Sequence, residues 1–304
     1  MPLDAAAADF LRLLVEAGRP PLEQTTPEEA RAGSVAMSAF AGEGAPVASI
    51  TEQHLDGVPC RVVIPEGEGP HPVLVWFHGG GWVIGSAETS LAVCRDLAQI
   101  AGCAVVSVDY RLAPETRAPG AVMDCLGVAT WVLEHGREIG LDNTRVAVGG
   151  DSAGGNLAAL VAQELGDRLV HQLLVYPATD LTLSQPSIAE NGEGYLLTAA
   201  GMRWFVGHYL GDTGIDPADP SVSPLFASSR RIGRSPSATV LTAEYDLLRD
   251  EGEAYADALA VAGVETVLRR FDGQIHAFFG LRAVIPAAGE AIAWSGQRLA
   301  TAFA

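Results

Sequence analysis

Gly150-Asp151-Ser152-Ala153-Gly154 sets a serine among small residues, directly after the apolar run Arg145-Val146-Ala147-Val148 and before an alanine-rich helical pattern over 156–165. Strand, tight glycine turn and helix, in that order, turn G-x-S-x-G into a nucleophile elbow. Such a turn strains the serine backbone and lifts its hydroxyl clear of the sheet. It also sets the hydroxyl at a helix N-terminus, whose free N–H groups favour an anion. A serine hydroxyl is a poor nucleophile and needs a base. The chain has no lysine, so all 19 basic residues are arginine. Ser-Lys dyads, Schiff bases and a P-loop lysine are thereby excluded, and histidine is the base to look for.

His276 is the best placed of the seven histidines, in Gly273-Gln274-Ile275-His276-Ala277-Phe278 just beyond the last expected strand. His54 falls in an early hairpin and His71 on a proline-rich turn before a strand. His135, His171 and His208 lie on or beside helical or surface patterns. A base histidine needs a carboxylate to hold its tautomer and stabilise its cation. Asp246 follows the apolar strand 238–243, at the strand end where open α/β sheets place their sites. Glu244 and Asp250 are its rivals, Asp250 reading better as a cap of the next helix. His78-Gly79-Gly80-Gly81-Trp82 follows another apolar strand, 73–77. Its glycines let backbone N–H groups approach a substrate closely and stabilise a developing oxyanion. The Ala153 N–H, next to the serine, is a further donor of this kind. His78 reads as the structural anchor of the glycine loop.

These residues must be held by a large, regular core. The chain has 304 residues, 48% of them hydrophobic, enough for one big domain. Asp56-Gly57 between the runs 49–55 and 58–65 reads as a hairpin. Further strands are expected at 73–77, 104–110, 145–148, 173–176, 238–243 and 264–271. Helical patterns fall at 90–101, 119–135, 156–165, 250–262 and 283–302. Short buried strands alternating with helices define a mostly parallel α/β sheet. The first 45 residues read as two helices, 5–17 and 27–40, with Thr26 as N-cap and Pro27 at the first helical position. Residues 184–226 interrupt the alternation with a polar stretch, an amphipathic helix at 198–210 and a proline/aspartate-rich loop, as a lid or cap would. The division is therefore 1–45 N-terminal cap helices, 46–183 and 227–304 core, and 184–226 cap insertion.

The net charge is −18, with no basic run. Nucleic-acid binding is not expected, and an anionic membrane surface would repel the chain. No apolar run is long enough to span a bilayer and no secretory signal opens the sequence, so a cytoplasmic location is expected. Cys60, Cys94, Cys103 and Cys125 lack metal or redox spacing and read as buried free thiols. No metal or other cofactor is expected.

His78-Gly79-Gly80-Gly81-Trp82, Asp109-Tyr110-Arg111-Leu112-Ala113-Pro114-Glu115 and Gly150-Asp151-Ser152-Ala153-Gly154-Gly155-Asn156 together resemble the hormone-sensitive lipase family of bacterial carboxylesterases. The resemblance runs from the N-terminal helices to the His276 loop. It implies an eight-stranded α/β-hydrolase sheet, with a helical cap built from the N-terminus and the insertion. It also implies hydrolysis of short- to medium-chain acyl esters. By matching positions, Ser152, Asp246 and His276 form the triad, and Gly80, Gly81 and Ala153 the oxyanion hole. A homodimer through the last strand and neighbouring helix would be in keeping with the family. Trp82, Trp204, Phe205 and Tyr209 either line the acyl pocket or pack core and cap. Arg111 and Glu115 are expected to pair as a structural corner. The chain departs from the family pattern at Leu247, at Thr116–Pro119, and at Gln274 and Ala277. These departures bear on substrate preference. An amidase, lactonase or deacetylase would use the same triad. A non-catalytic binding protein of this fold would typically lack the histidine.

Overall fold

In the computed structural model, which describes residues 1–304, the apolar runs become eight strands. They are β1 (Ser49–Leu55), β2 (Val58–Ile64), β3 (His71–Phe77), β4 (Ala104–Val108), β5 (Leu141–Asp151), β6 (His171–Val175), β7 (Ser237–Tyr245) and β8 (Thr266–Ile275). They form one sheet in the order β1-β2-β4-β3-β5-β6-β7-β8. β2 runs antiparallel to β1 and β4, and every pairing from β4 onward is parallel. Asp56 and Gly57 both have positive φ, 50° and 76°, the geometry that a two-residue hairpin turn requires.

The helices are α1 (Ala5–Glu16), α2 (Pro27–Met37), α3 (Leu91–Ala101), α4 (Gly120–His135), α5 (Ala153–Leu165), α6 (Pro186–Glu190), α7 (Ala199–Leu210), α8 (Ser229–Ile232), α9 (Arg249–Val261) and α10 (Pro286–Phe303). Strand periodicity decides which layer each side chain joins. Val73, Val75 and Phe77 of β3 pack with α4, α5 and α9, whereas Leu74 and Trp76 pack with α1, α3 and α10. All seven residues of β3 are buried, as a strand covered on both faces demands. Each such valine or leucine contributes about 1.5–3 kcal/mol of transfer free energy.

The observed boundaries differ from the expected ones where tertiary pairing extends an element. β5 runs from Leu141 to Asp151, taking in Gly149 and Gly150, because β3 and β6 supply ladder partners on both sides. β8 ends at Ile275, four residues later than its hydropathy suggests. A register shift after Ala243 lets Tyr245 pair with Ile275 there. α5 begins at Ala153, three residues earlier than the pattern predicts, and α10 at Pro286, three residues later. Thr26 caps α2 as expected: its hydroxyl accepts the Glu29 N–H at 3.2 Å, and Glu29 accepts the Thr26 N–H at 2.8 Å.

The corner expected between Arg111 and Glu115 is not formed. Arg111 pairs with the buried carboxylate of Asp124 on α4, which also accepts the Arg111 N–H. Glu115 points the other way and pairs with Arg31 of α2. Four cysteines are free and buried, and burial pushes the thiols of Cys60, Cys94 and Cys103 up to about 12. No helix is long and apolar enough to cross a membrane.

The N-terminal residues and the insertion lie beside the site. α1 buries Ala7 and Phe10 against the α3/α10 layer, and the Asp4 N–H donates to Gly273, three residues before His276, at 2.9 Å. Leu22 packs with the core cluster that holds Met202, Phe205 and Tyr209 of α7. Thr198 caps α7 by accepting the Gly201 N–H at 3.0 Å.

Candidate active site

Ser152 sits alone between β5 and α5 at φ 56°, ψ −117°. A non-glycine residue with this backbone is strained and persists only if its surroundings enforce it. Here the Ser152 N–H donates to Val175 of β6 at 2.9 Å, and its carbonyl accepts from Asn156 and Ala178 at 3.0 and 3.2 Å. A Cβ at Gly154 would collide with the carbonyl oxygen of Phe77 at the end of β3. The glycines of the motif thus reflect how tightly α5 crosses the strand ends.

His276 leaves β8 by one residue. Its Nε2 lies 2.9 Å from Ser152 Oγ, and its Nδ1 lies 2.7 Å from Asp246 Oδ2. Asp246 follows β7 and is 1% exposed. Its other oxygen, Oδ1, accepts the Leu248 N–H at 2.9 Å. Both carboxylate oxygens are therefore engaged, which fixes the one facing the ring. The two rivals lie elsewhere. Glu244 accepts the Gly273 N–H at 2.6 Å. Asp250 lies inside the first turn of α9 instead of capping it; it accepts the Ser187 N–H and pairs with Arg249.

Two supporting residues were not foreseen. Asn191 donates to the backbone carbonyls of Asp246 and Glu244 at 3.1 and 3.3 Å. The Tyr176 ring lies 4.7 Å, centroid to centroid, from the His276 ring. Neither carries a spacing signal: Asn191 belongs to a polar stretch and Tyr176 ends an apolar run. None of the remaining histidines is hydrogen-bonded to Ser152. His171 is not on a helical or surface pattern; it opens β6, buried between Ser237 and Thr239 at 2.7 and 3.0 Å. His71 is the first residue of β3 instead of a turn residue.

His78 is buried, stacked 4.2 Å from Tyr110 with its Nδ1 2.8 Å from the Gly79 carbonyl. Burial lowers its pKa, so the neutral ring donates to that carbonyl and anchors the loop. Beyond it, Gly80 and Gly81 take φ 119° and 58°. A Cβ at Gly81 would collide with the Phe205 ring. Neither the Gly80 nor the Gly81 N–H donates to a protein acceptor. Ala153 opens α5, where an N–H has no partner within its own helix. Of the four aromatic residues expected near the pocket, Phe205 reaches the glycine loop. The Trp204 ring stands nearly perpendicular to that of Phe205, with centroids 5.2 Å apart. Trp82 and Tyr209 are fully buried and stack on each other at 4.5 Å.

Asp151 ties the two glycine segments together, its Oδ1 accepting the Gly79 N–H at 2.9 Å. Burial raises its carboxyl to about 6, against the pull of that bond and of His276. A folded-state pKa above the unfolded value of 3.8 favours the folded protein below that value and loses this contribution as pH rises through about 6. Asp151→Asn keeps an acceptor for Gly79 and removes the partly buried charge. Its melting temperature should exceed that of the wild type at pH 8, with the gap closing by pH 4. Thermal unfolding across this range is the check, and an equal gap at both pH values would refute the burial of charge.

A parallel sheet flanked by helices, with a strained serine after its central strand and a hydrogen-bonded His–Asp pair from the following loops, defines an α/β-hydrolase. Residues 74–280 match the family model described as the alpha/beta hydrolase fold. The chain belongs to the hormone-sensitive lipase family of these hydrolases. It is 46% identical to the carboxylic ester hydrolase LipN of Mycobacterium tuberculosis, over 74% of this chain and 61% of that protein. It is 36% identical to the ethyl acetate hydrolase of Pseudomonas putida, over 96% of both. Among solved structures, it superposes on a mutant of LAE6, an alpha/beta hydrolase enzyme from the metagenome of Lake Arreo, Spain. The TM-score is 0.94 at 36% identity, over 99% of this chain and 98% of that one.

Proposed function

We propose that the chain is a serine carboxylesterase that hydrolyses short- to medium-chain acyl esters through an acyl-enzyme on Ser152. The observation that carries the reading is the continuous relay Ser152 Oγ–His276 Nε2 and His276 Nδ1–Asp246 Oδ2, at 2.9 and 2.7 Å. Relatives named as ester hydrolases support the substrate class.

In this mechanism Ser152 Oγ attacks the ester carbonyl carbon as His276 Nε2 takes its proton. Asp246 holds the Nδ1 proton in place and stabilises the imidazolium. The carbonyl oxygen becomes an oxyanion facing the N–H groups of Gly80, Gly81 and Ala153. Each such donor contributes about 3–4 kcal/mol to the transition state. The carbon–oxygen bond to the alcohol breaks as His276 returns the proton to the leaving oxygen. Water then attacks the acyl-enzyme by the same route, releasing the acid and restoring Ser152. Phe205, beside the glycine loop, and the Trp204 ring packed on it set the apolar wall that receives the acyl chain.

The test is an alkyl fluorophosphonate together with p-nitrophenyl esters from C2 to C12. The expected outcome is one covalent adduct on the peptide bearing Ser152, and turnover highest at the short to middle chain lengths. No adduct and no ester turnover would overturn the proposal.

A further inference from the structure

Arg31 lies on α2, far in sequence from the triad and glycine-loop residues, yet its guanidinium ties α2 to two separate segments, one at Val83 and one at Ala113–Glu115. Its Nε donates to the Val83 carbonyl at 2.9 Å and its Nη2 to the Ala113 carbonyl at 2.9 Å. Nη1 and Nη2 also form a two-point pair with Glu115, at 2.8 and 2.6 Å. The planar fork suits such an arrangement and an ammonium does not. Glu115 is 62% exposed, so the ion pair itself adds little stability. Its effect is to orient the guanidinium towards the two carbonyls.

Those carbonyls belong to the segments that shape the glycine loop. The N–H groups of Val83 and Ile84 both donate to the Gly80 carbonyl, at 3.1 and 2.9 Å. In a planar trans peptide the C=O and the following N–H point in opposite directions. Holding the Gly80 carbonyl towards Val83 and Ile84 therefore aims the Gly81 N–H the other way. The Ala113 N–H donates to Trp82 at 2.8 Å, so the second carbonyl bond of Arg31 braces the same turn from its other side. Ala118 in turn donates to Tyr209 of α7 at 2.9 Å, and Tyr209 stacks on Trp82. The turn is thus held between the N-terminal helices and the insertion, and Arg31 is the polar tie on the N-terminal side.

We propose that Arg31 is a positioning residue for the oxyanion donors: it fixes the Gly80–Gly81 peptide plane from the N-terminal helix and couples that helix to turnover. The inference rests on the esterase reading above, and on Gly81 serving as an oxyanion donor within it. A misaimed donor weakens stabilisation of the tetrahedral oxyanion more than it weakens binding of the neutral ester.

The experiment compares Arg31→Met, Arg31→Lys and Glu115→Gln with the wild type, each normalised to active sites by end-point fluorophosphonate labelling. The substrate is p-nitrophenyl butyrate. The inhibitor is an alkyl trifluoromethyl ketone, which forms a tetrahedral oxyanion on the serine. Arg31→Met should lose about 10–100-fold in kcat per labelled site, with KM within about threefold. Its trifluoromethyl ketone inhibition constant should weaken by a similar factor. Arg31→Lys should recover only part of the loss, and Glu115→Gln should lose less than either. If Arg31→Met fails to fold, Arg31→Lys carries the same comparison. A lower melting temperature with kcat per labelled site and ketone affinity unchanged would make Arg31 merely structural and overturn the inference. A wild type that neither labels nor turns over ester overturns the esterase reading itself, and this inference with it.

Discussion

Ser152→Ala should lower kcat for p-nitrophenyl butyrate about 10⁶-fold while leaving a folded protein. The substitution deletes a single oxygen. Alanine bears the same Cβ, so it meets the φ 56° strain that serine already bears, and the backbone bonds to Val175, Asn156 and Ala178 remain. His276 keeps its bond to Asp246. What is lost, in the proposed mechanism, is the atom that forms the acyl-enzyme, with the proton transfer to Nε2. A residual rate above water would come from the glycine-loop donors polarising a bound ester. Substrate affinity, read by equilibrium binding of a non-hydrolysed ester analogue, should stay close to wild type. A purified Ser152→Ala protein turning over ester within tenfold of wild type would remove Ser152 from the mechanism.

Asp246→Asn comes second, with an expected loss of about 10⁴-fold in kcat. The reason lies in which oxygen does what. Oδ1 accepts the Leu248 N–H, and that donor is buried. An asparagine must keep its amide oxygen there, since the NH₂ group cannot accept. The NH₂ then faces His276 Nδ1, which can pair with it only as an acceptor. The ring proton is driven to Nε2, the nitrogen that takes the proton of Ser152 in the proposed mechanism. The variant should fold normally and still bind substrate, but present the wrong tautomer. Raising the pH should not restore it at neutral rates, because no deprotonation places the proton on Nδ1. Proton NMR of the imidazole would show the tautomer directly; a ring still protonated at Nδ1 together with near-normal kcat would contradict this account.

Much of the arrangement was legible from local pattern. The strand before Ser152, the helix after it and the glycines around it are near neighbours in the chain, and their types report a crowded turn. The positions of His276 and Asp246 were legible for a related reason: each follows a strand, by one residue in the structure, and strand ends on one side of a parallel sheet converge in space. His171 was misplaced because its neighbours leave open whether it faces solvent. Its burial follows from pairing with β7, which brings Ser237 and Thr239 to its ring nitrogens. The expected Arg111–Glu115 pair failed because closeness in sequence does not set direction. Asp124 offers Arg111 a buried carboxylate from α4, and Glu115 is left facing α2. Asn191 and Arg31 could not be read at all, since each reaches backbone carbonyls from remote segments and a carbonyl is the same in every residue; the Glu115 carboxylate that Arg31 also meets is equally remote in sequence.

By itself, then, the sequence determined the class of sheet, the tight serine turn, and which aspartate and histidine stand at strand ends. These follow from steric limits and hydrophobic period, which act over a few residues. Only the tertiary structure decided which oxygen of Asp246 meets His276, which carboxylate Arg111 takes, how Phe205 comes to lie on Gly81, and that a helix near the N-terminus braces the glycine loop. Those choices depend on strand register and on the direction of individual donors and acceptors, and direction is settled only when the layers have packed.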